Sequence, residues 1–465
     1  MALSLIGRLT QIRTDVTVST RGDKVGNTDP ASISHITYDR LRSPRFTVAP
    51  PPSDFVGRKE ELAELLANYE QGVLITNASR NAGVGTTALA RRLAFALADE
   101  FLDGCLEIDL RGGMPSIEEP LDPVEAQRRL LRPFHPTESL PYDAKALNRL
   151  YRQTFSEYKV LLLLDNAASG TQLRQLLPRK PSVAIVTSHA DLTMSWAKLY
   201  HLELGGLRPE EARELLLRIS GRGDDAIQGT FDKIAEQFNY IPLALRVIAA
   251  LLKEPFNWTS RELLRNFSNV RKSLVALWGP KAANLSVGVA LEMIYGALPS
   301  EIRSHFEDLA VFPGTFAQTA AATVWDASSR EADETLVALV RYNLLDYRTA
   351  TYAYVQHDLV RHSAQELLLG QMKQTDIVVA RYANYALEHA RRANELFQES
   401  ESTAPDGLMR FSALWPDLWK AWNRMNGTDP GWSYPEDTER WLCDFPLHVW
   451  PVSYTHLTLP TKRIV

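Results

Sequence analysis

Residues 72–90 read GVLITNASRNAGVGTTALA: an apolar start, a Gly-containing turn and an Ala- and Leu-rich continuation. The pattern predicts a strand, a tight loop and a helix. Loops of this kind hold phosphates when they follow G-x-x-x-x-G-K-[ST], because backbone N–H groups of the turn and helix N-terminus face the anion and the Lys bridges its outer oxygens. In that frame stand Arg80, Gly83, Val84, Gly85, Thr86 and Thr87. Gly83, Gly85 and the hydroxyl of Thr87, the magnesium-type position, are kept. Arg80 replaces the first Gly and Thr86 replaces the Lys.

Working outward, residues 59–69 carry Leu62, Leu65 and Leu66 at helical spacing just after Asp54-Phe55-Val56-Gly57-Arg58. Residues 89–101 continue the helix, and Cys105-Leu106-Glu107-Ile108-Asp109-Leu110 is a short strand closed by Gly112-Gly113. Helices are expected over 121–131 and 144–155. Residues 159–166, KVLLLLDN, form an apolar strand ending in a carboxylate, and residues 183–189, VAIVTSH, form the next. Strands and helices alternating at crossover length predict a parallel sheet with flanking helices, an α/β phosphate-loop domain. An acid at the end of a central strand lies beside the phosphate loop, so Asp165 is a candidate magnesium or water ligand together with Thr87. The neighbouring Asn166 supplies no second acid. Ser188 and His189 emerge at the same sheet edge.

Several separated motifs then carry a resemblance: Val56-Gly57-Arg58, the loop at 83–90, LLLLDNA at 161–167, IVTS at 185–188, YIPLA at 240–244 and QHDLVR at 356–361. In this order they resemble NB-ARC domains, and the chain looks like a bacterial STAND-type nucleotide switch over about residues 54–368. The resemblance implies ADP or ATP as ligand, with magnesium. It implies that Val56, Gly57 and Arg58 border adenine and ribose and that the backbone of Gly83, Val84, Gly85, Thr86 and Thr87 cradles the phosphates. Asp165 would face magnesium, and Ser188 the same edge. Pro242 would pack near adenine although Tyr240 replaces the family's Gly, and His357 would hydrogen-bond a diphosphate although Gln356 replaces the family's Met. With Thr86 in place of Lys, the chain is at most a slow ATPase.

The expected domains are a polar spacer (1–52), the nucleotide domain (53–200), a small helical domain (201–275) and a winged-helix domain (276–370). A helical region at 371–451 resembles the opening of helical repeats. Helices are expected at 375–399, with Thr375 as cap, and at 408–422. Residues 452–461, VSYTHLTLPT, match the conceptual translation of a transposase-type sequencing adapter, so 452–465 are expected to be artefactual and the natural protein longer. Expected partners are proteins bound through missing repeats, with a homo-oligomer on activation.

Composition narrows the alternatives. With 465 residues and 45% hydrophobic content, roughly two to four domains with real cores are expected. Net charge is −5, so no global basic field points to nucleic acid. No apolar run is long enough for a membrane span. Cys105 and Cys443 make no disulfide framework, and a reducing cytoplasm is the expected compartment. Two other functions fit the same motifs: a nucleotide-free protein scaffold, and a transcriptional regulator using the winged helix on DNA.

Overall fold

The computed structural model describes residue 43 and residues 45–449, except 78–81, 113–119, 137–139, 191, 193–196, 223–224, 279–283, 350, 401–402, 430–431, 433–437, 440 and 447–448. The adapter-like stretch at 452–465, Arg80 and most of the expected spacer lie outside the described residues.

The first half alternates helix and strand: α1 (Lys59–Asn68), β1 (Val73–Asn77), α2 (Thr86–Leu97), β2 (Gly104–Asp109), α3 (Pro123–Leu131), α4 (Ala144–Glu157), β3 (Val160–Asp165), a short α5 (Gly170–Arg174), β4 (Val183–Ser188) and β5 (Tyr200–Leu204). The five strands form one sheet in the order β2-β3-β4-β1-β5, every neighbouring pair parallel. Strands β1, β3 and β4 are buried along their whole length, which is why they read as unbroken apolar runs. Their two faces separate cleanly. Val73, Ile75, Leu161 and Leu163 join Leu89 and Leu93 of α2 on one side, while Leu74, Leu162 and Leu164 join Leu147 and Tyr151 of α4 on the other.

Two expectations shift here. Strand β5 extends beyond the expected domain boundary at residue 200, since Tyr200–Leu204 pairs with all of β1. Its short polar alternation, YHLEL, gives little apolar signal. Residues 45–49 of the expected spacer lie on the sheet: Cys105 N donates to Arg45 O (2.8 Å), Thr47 N to Cys105 O (2.9 Å) and Ala49 N to Glu107 Oε2 (2.7 Å). They cover the edge of β2, whose backbone groups would otherwise face solvent unpaired.

The second half is almost entirely helical: α6 (Pro209–Ser220), α7 (Asp225–Gln237), α8 (Pro242–Leu251), α9 (Ser260–Trp278), α10 (Leu285–Ala297), α11 (Ser300–Asp308), α12 (Gln318–Trp325) and α13 (Ser329–Arg341). An antiparallel hairpin, β6 (Asp346–Arg348) with β7 (Ala353–Val355), precedes α14 (Asp358–Leu369), α15 (Met372–Glu399) and α16 (Ala404–Met425). One continuous apolar core runs from Val56 through these helices to Val449. Thr375 is not a cap, because α15 starts earlier, after Gln371. Its buried hydroxyl donates to Leu368 O (2.7 Å), pinning α15 to the end of α14. Among the described residues, no helix is long and apolar enough to cross a membrane.

The α15–α16 pair carries a titratable group. Tyr382 OH donates to Asp417 Oδ1 at 2.9 Å, and burial pushes the Asp417 carboxyl up to about 6 from 3.8, against the lowering effects of that bond and of Arg424. The native chain then holds this proton more tightly than the unfolded chain, so its contribution to stability falls as pH rises through that interval and is flat above it. Asp417→Asn is expected to flatten this part of the profile, read as urea midpoints of the two proteins at pH 4, 5, 6 and 7.

Candidate functional site

The carboxyl ends of the parallel strands face one edge, where α/β sheets of this kind bind ligands. Between β1 and α2 the loop turns on Gly83 (φ 86°) and Gly85 (φ 96°). A Cβ on Gly83 would come within 2.9 Å of Leu243 Cβ, and Gly83 O accepts from Leu243 N at 3.2 Å. The loop is therefore stacked on the start of α8, where Pro242 is the first helical residue. Among the described residues, a Cβ on Gly85 would meet nothing within 4 Å, so these residues leave room in front of the α2 N-terminus, where an anion would sit. Thr86 is 3% exposed and brings no charge there, and Val84 is likewise buried.

Thr87 and Asp165 are brought together. Thr87 Oγ1 donates to Asp165 Oδ1 at 2.8 Å, and Thr187 Oγ1 donates to the same oxygen. Burial pushes the Asp165 carboxyl up to about 6, opposed by Arg91 and by the two hydroxyls. A hydroxyl and a carboxylate side by side are hard oxygen donors of the kind magnesium takes alongside phosphate oxygens. Among the described residues no group of three or more His, Cys, Asp or Glu could hold a metal unaided.

Arg58 is 4% exposed and adopts a left-handed backbone, φ 60°. Its guanidinium donates to Val84 O (3.1 Å), Gly205 O (2.6 Å) and Glu61 Oε1 (2.9 Å), and its N–H to Glu211 Oε1 (2.8 Å). Gly57 leaves room for that glutamate: with φ 65°, a Cβ there would lie 2.2 Å from Glu211 Cδ. Val56 belongs to the buried core shared with Leu207, Ala212 and Leu216 of the α6 region.

Ser188 is 1% exposed and donates to Ala167 O at 2.7 Å, which ties β4 to the turn after β3. His189 pairs through Nδ1 with Asn77 Nδ2 (3.0 Å) and faces His357. His357 caps α14, its Nδ1 accepting from Leu359 N at 3.3 Å. The residue is exposed, yet enough protein surrounds it that desolvation holds the imidazole below its ordinary range, against the pull of Asp358. Tyr240 adopts φ 56°, the left-handed conformation that a Gly enters without penalty.

Sequence reasoning passed over Asp109, Asp358 and Arg348, and weighed Asn166 only as a missing second acid. Asn166, at φ 54°, donates through Nδ2 to Asp109 Oδ1 (3.2 Å) and Asp358 Oδ2 (3.4 Å), bridging the sheet to the first turn of α14. Asp109 ends β2 in register with Asp165. Asp109 is exposed at the surface, yet desolvation by the protein around it and then Asp358 push its carboxyl above the usual range. The signal was present, since CLEID ends in an acid as VLLLLD does. Arg348, on β6, faces Arg91, Glu107, Asp346 and Asp165, and burial and then Arg91 hold its guanidinium below the ordinary value. A lone Arg in a hairpin gives no sequence signal for this placement.

No family model matches the chain. Over 315 residues, 66% of this chain, it is 32% identical to the regulatory protein AfsR of Streptomyces griseus, and over 323 residues 30% identical to AfsR of Streptomyces coelicolor. The chain spans about a third of the length of each, 32%. Among solved structures it is similar to a Signal Transduction ATPase with Numerous Domains (STAND) protein with a tetratricopeptide repeat sensor from Pyrococcus horikoshii. That match has 16% identity and TM-score 0.50, covering 90% of this chain and 60% of the other. These matches support an NB-ARC/STAND class for the chain. Within this class assignment, the separated motifs from Val56 to Arg361 lie on one fold, and those at the sheet edge converge.

Two substitutions test the wiring. Arg58→Ala strands buried acceptors and is expected to lower stability by about 3 kcal/mol, whereas Arg208→Ala, in the exposed pair with Glu60, serves as a control with a much smaller effect. Gln356 is 5% exposed, and neither amide atom of its side chain has a hydrogen-bond partner among the described residues. Gln356→Met is therefore expected to stabilise the protein by about 1–2 kcal/mol. Urea unfolding of each variant measures both.

Proposed function

We propose that the chain is a nucleotide-dependent regulatory switch that binds ADP or ATP with magnesium and hydrolyses ATP slowly or not at all. The observation that carries this reading is convergence at the sheet edge: Val84 of the Gly83–Gly85 loop accepts from the buried Arg58, Thr87 just after that loop donates to Asp165, and the neighbouring Asn166 donates to Asp358, next to His357 at the start of α14. In this reading the loop N–H groups hold phosphates, Thr87 and Asp165 hold magnesium, Val56–Arg58 and Pro242 flank the base, and His357 reaches the diphosphate. Ser188 supports the edge from below through Ala167. Bound magnesium would neutralise phosphate charge; the protein itself offers little more. Thr86 supplies no cation, and the Asn166 amide cannot accept a proton from water, which supports weak hydrolysis.

The remaining modules fit a clamp. We read residues 53–204 as the nucleotide domain, 205–275 as a small helical domain, 276–370 as a winged helix and 371 onward as the start of helical repeats. Arg246 of α8 donates to Asp54 (2.7 Å) and to Asp346 of the hairpin (2.8 Å). This contact holds the wing against the body of the protein and favours an internal role over DNA docking. Protein partners acting through further repeats, self-association on activation and a cytoplasmic setting complete the proposal.

The test is to purify the full chain gently, denature it and chromatograph the released nucleotide, with Thr86→Lys in parallel. Near-stoichiometric ADP from the unmodified chain is expected. An empty unmodified chain beside a loaded Thr86→Lys chain would overturn the switch reading in favour of a nucleotide-free scaffold.

A further inference from the structure

Asn284 immediately precedes α10, and its carbonyl accepts from Gly288 N at 2.9 Å, so it occupies the capping position of that helix. Asn is favoured there because its side-chain oxygen takes a free N–H of the first turn. This Asn makes no such bond. Held at φ 66°, it turns its side chain away, and Oδ1 accepts from Ala82 N at 2.7 Å, 202 residues earlier in the chain. Ala82 directly precedes Gly83 in the phosphate loop, so its N–H belongs to the set of backbone donors that such a loop offers to an anion. The helix thus forgoes its own cap so that a carboxamide oxygen can sit on a phosphate donor. The segment beside it is equally fixed: Asn239, also left-handed, donates through Nδ2 to Ser286 Oγ at 2.9 Å.

We infer that Asn284 is a stand-in ligand of the phosphate loop, its amide oxygen occupying a backbone donor that a phosphate oxygen takes when a phosphoanhydride ligand binds. The inference rests on the nucleotide-binding reading and extends it to regulation of the same site. Phosphate and the start of α10 then compete for one N–H. Because α10 packs on α8 and α9, occupancy of the loop is coupled to the seating of the helical region. Linkage makes the coupling reciprocal: whatever loosens α10 tightens phosphate binding.

The experiment compares binding of ADP and of adenosine, which lacks phosphate, to the full chain, to Asn284→Gly and to Asn284→Asp. Gly keeps the left-handed backbone and removes the competing oxygen; Asp keeps the oxygen and adds negative charge beside the phosphate. One hydrogen bond released should tighten ADP roughly three- to tenfold in Asn284→Gly, with adenosine unchanged. Asn284→Asp should weaken ADP and leave adenosine unchanged, and it decides the matter if the Gly variant does not fold. A common shift of both ligands, or weaker ADP binding in Asn284→Gly, would make Asn284 a plain interdomain staple and overturn the inference alone. Failure of the unmodified chain to bind either ligand would overturn the nucleotide reading, and this inference with it.

Discussion

The guanidinium of Arg58 is the constraint on which the site's architecture hangs. A buried cation persists only where acceptors surround it, and here they come from three places: the phosphate loop at Val84, the turn after β5 at Gly205 and Glu61 one turn along α1. Glu211 of α6 receives the Arg58 backbone N–H. One residue therefore fixes the loop, the end of the sheet and the first helix of the second half in a common frame. Gly57 is the condition for it, because any side chain there would displace Glu211.

A second tier of polar contacts joins this frame to the helical second half. Asn166 spans two carboxylates that would otherwise repel, one at the end of β2 and one at the start of α14. Arg246 spans two others, Asp54 and Asp346. Both bridges connect parts far apart in sequence, and both depend on a group placed between like charges. Such joints separate as units, because removing the bridging group turns an attraction into a repulsion. The joint between the turn after α11 and the last helices is tighter: Arg424 of α16, 1% exposed, donates to Val311 O and lies 3.7 Å from the centre of the Trp432 ring.

Much of this was legible in the sequence because hydrophobic burial and backbone geometry leave periodic marks. The unbroken apolar runs of β1, β3 and β4 announced buried parallel strands, and Gly83 and Gly85 announced the loop. Strand β5 left no such mark, since its Tyr200, His201 and Glu203 give an edge strand the composition of a loop. Residues 45–49 were hidden in the same way, a short stretch held by backbone bonds after a polar tail. The Thr87–Asp165 pair followed from strand-end chemistry. Asn166 did not, because its value lies in which carboxylates the fold brings to it, and residues 109 and 358 are far from it in sequence.

The sheet order also governs the sequence of events during synthesis. Strand β1 is interior, yet its neighbours in the sheet are β4 and β5, which begin at residues 183 and 200. Until the ribosome has made that part of the chain, β1 lacks the strands it pairs with, and the loop after it has no floor. Meanwhile β2 and β3, which do pair with each other, can associate first and wait for β4 to arrive between β3 and β1. Parallel pairing across such distances is slow and leaves apolar strands uncovered. The stretch that gives the protein its site is thus among the first made and the last to be locked into place.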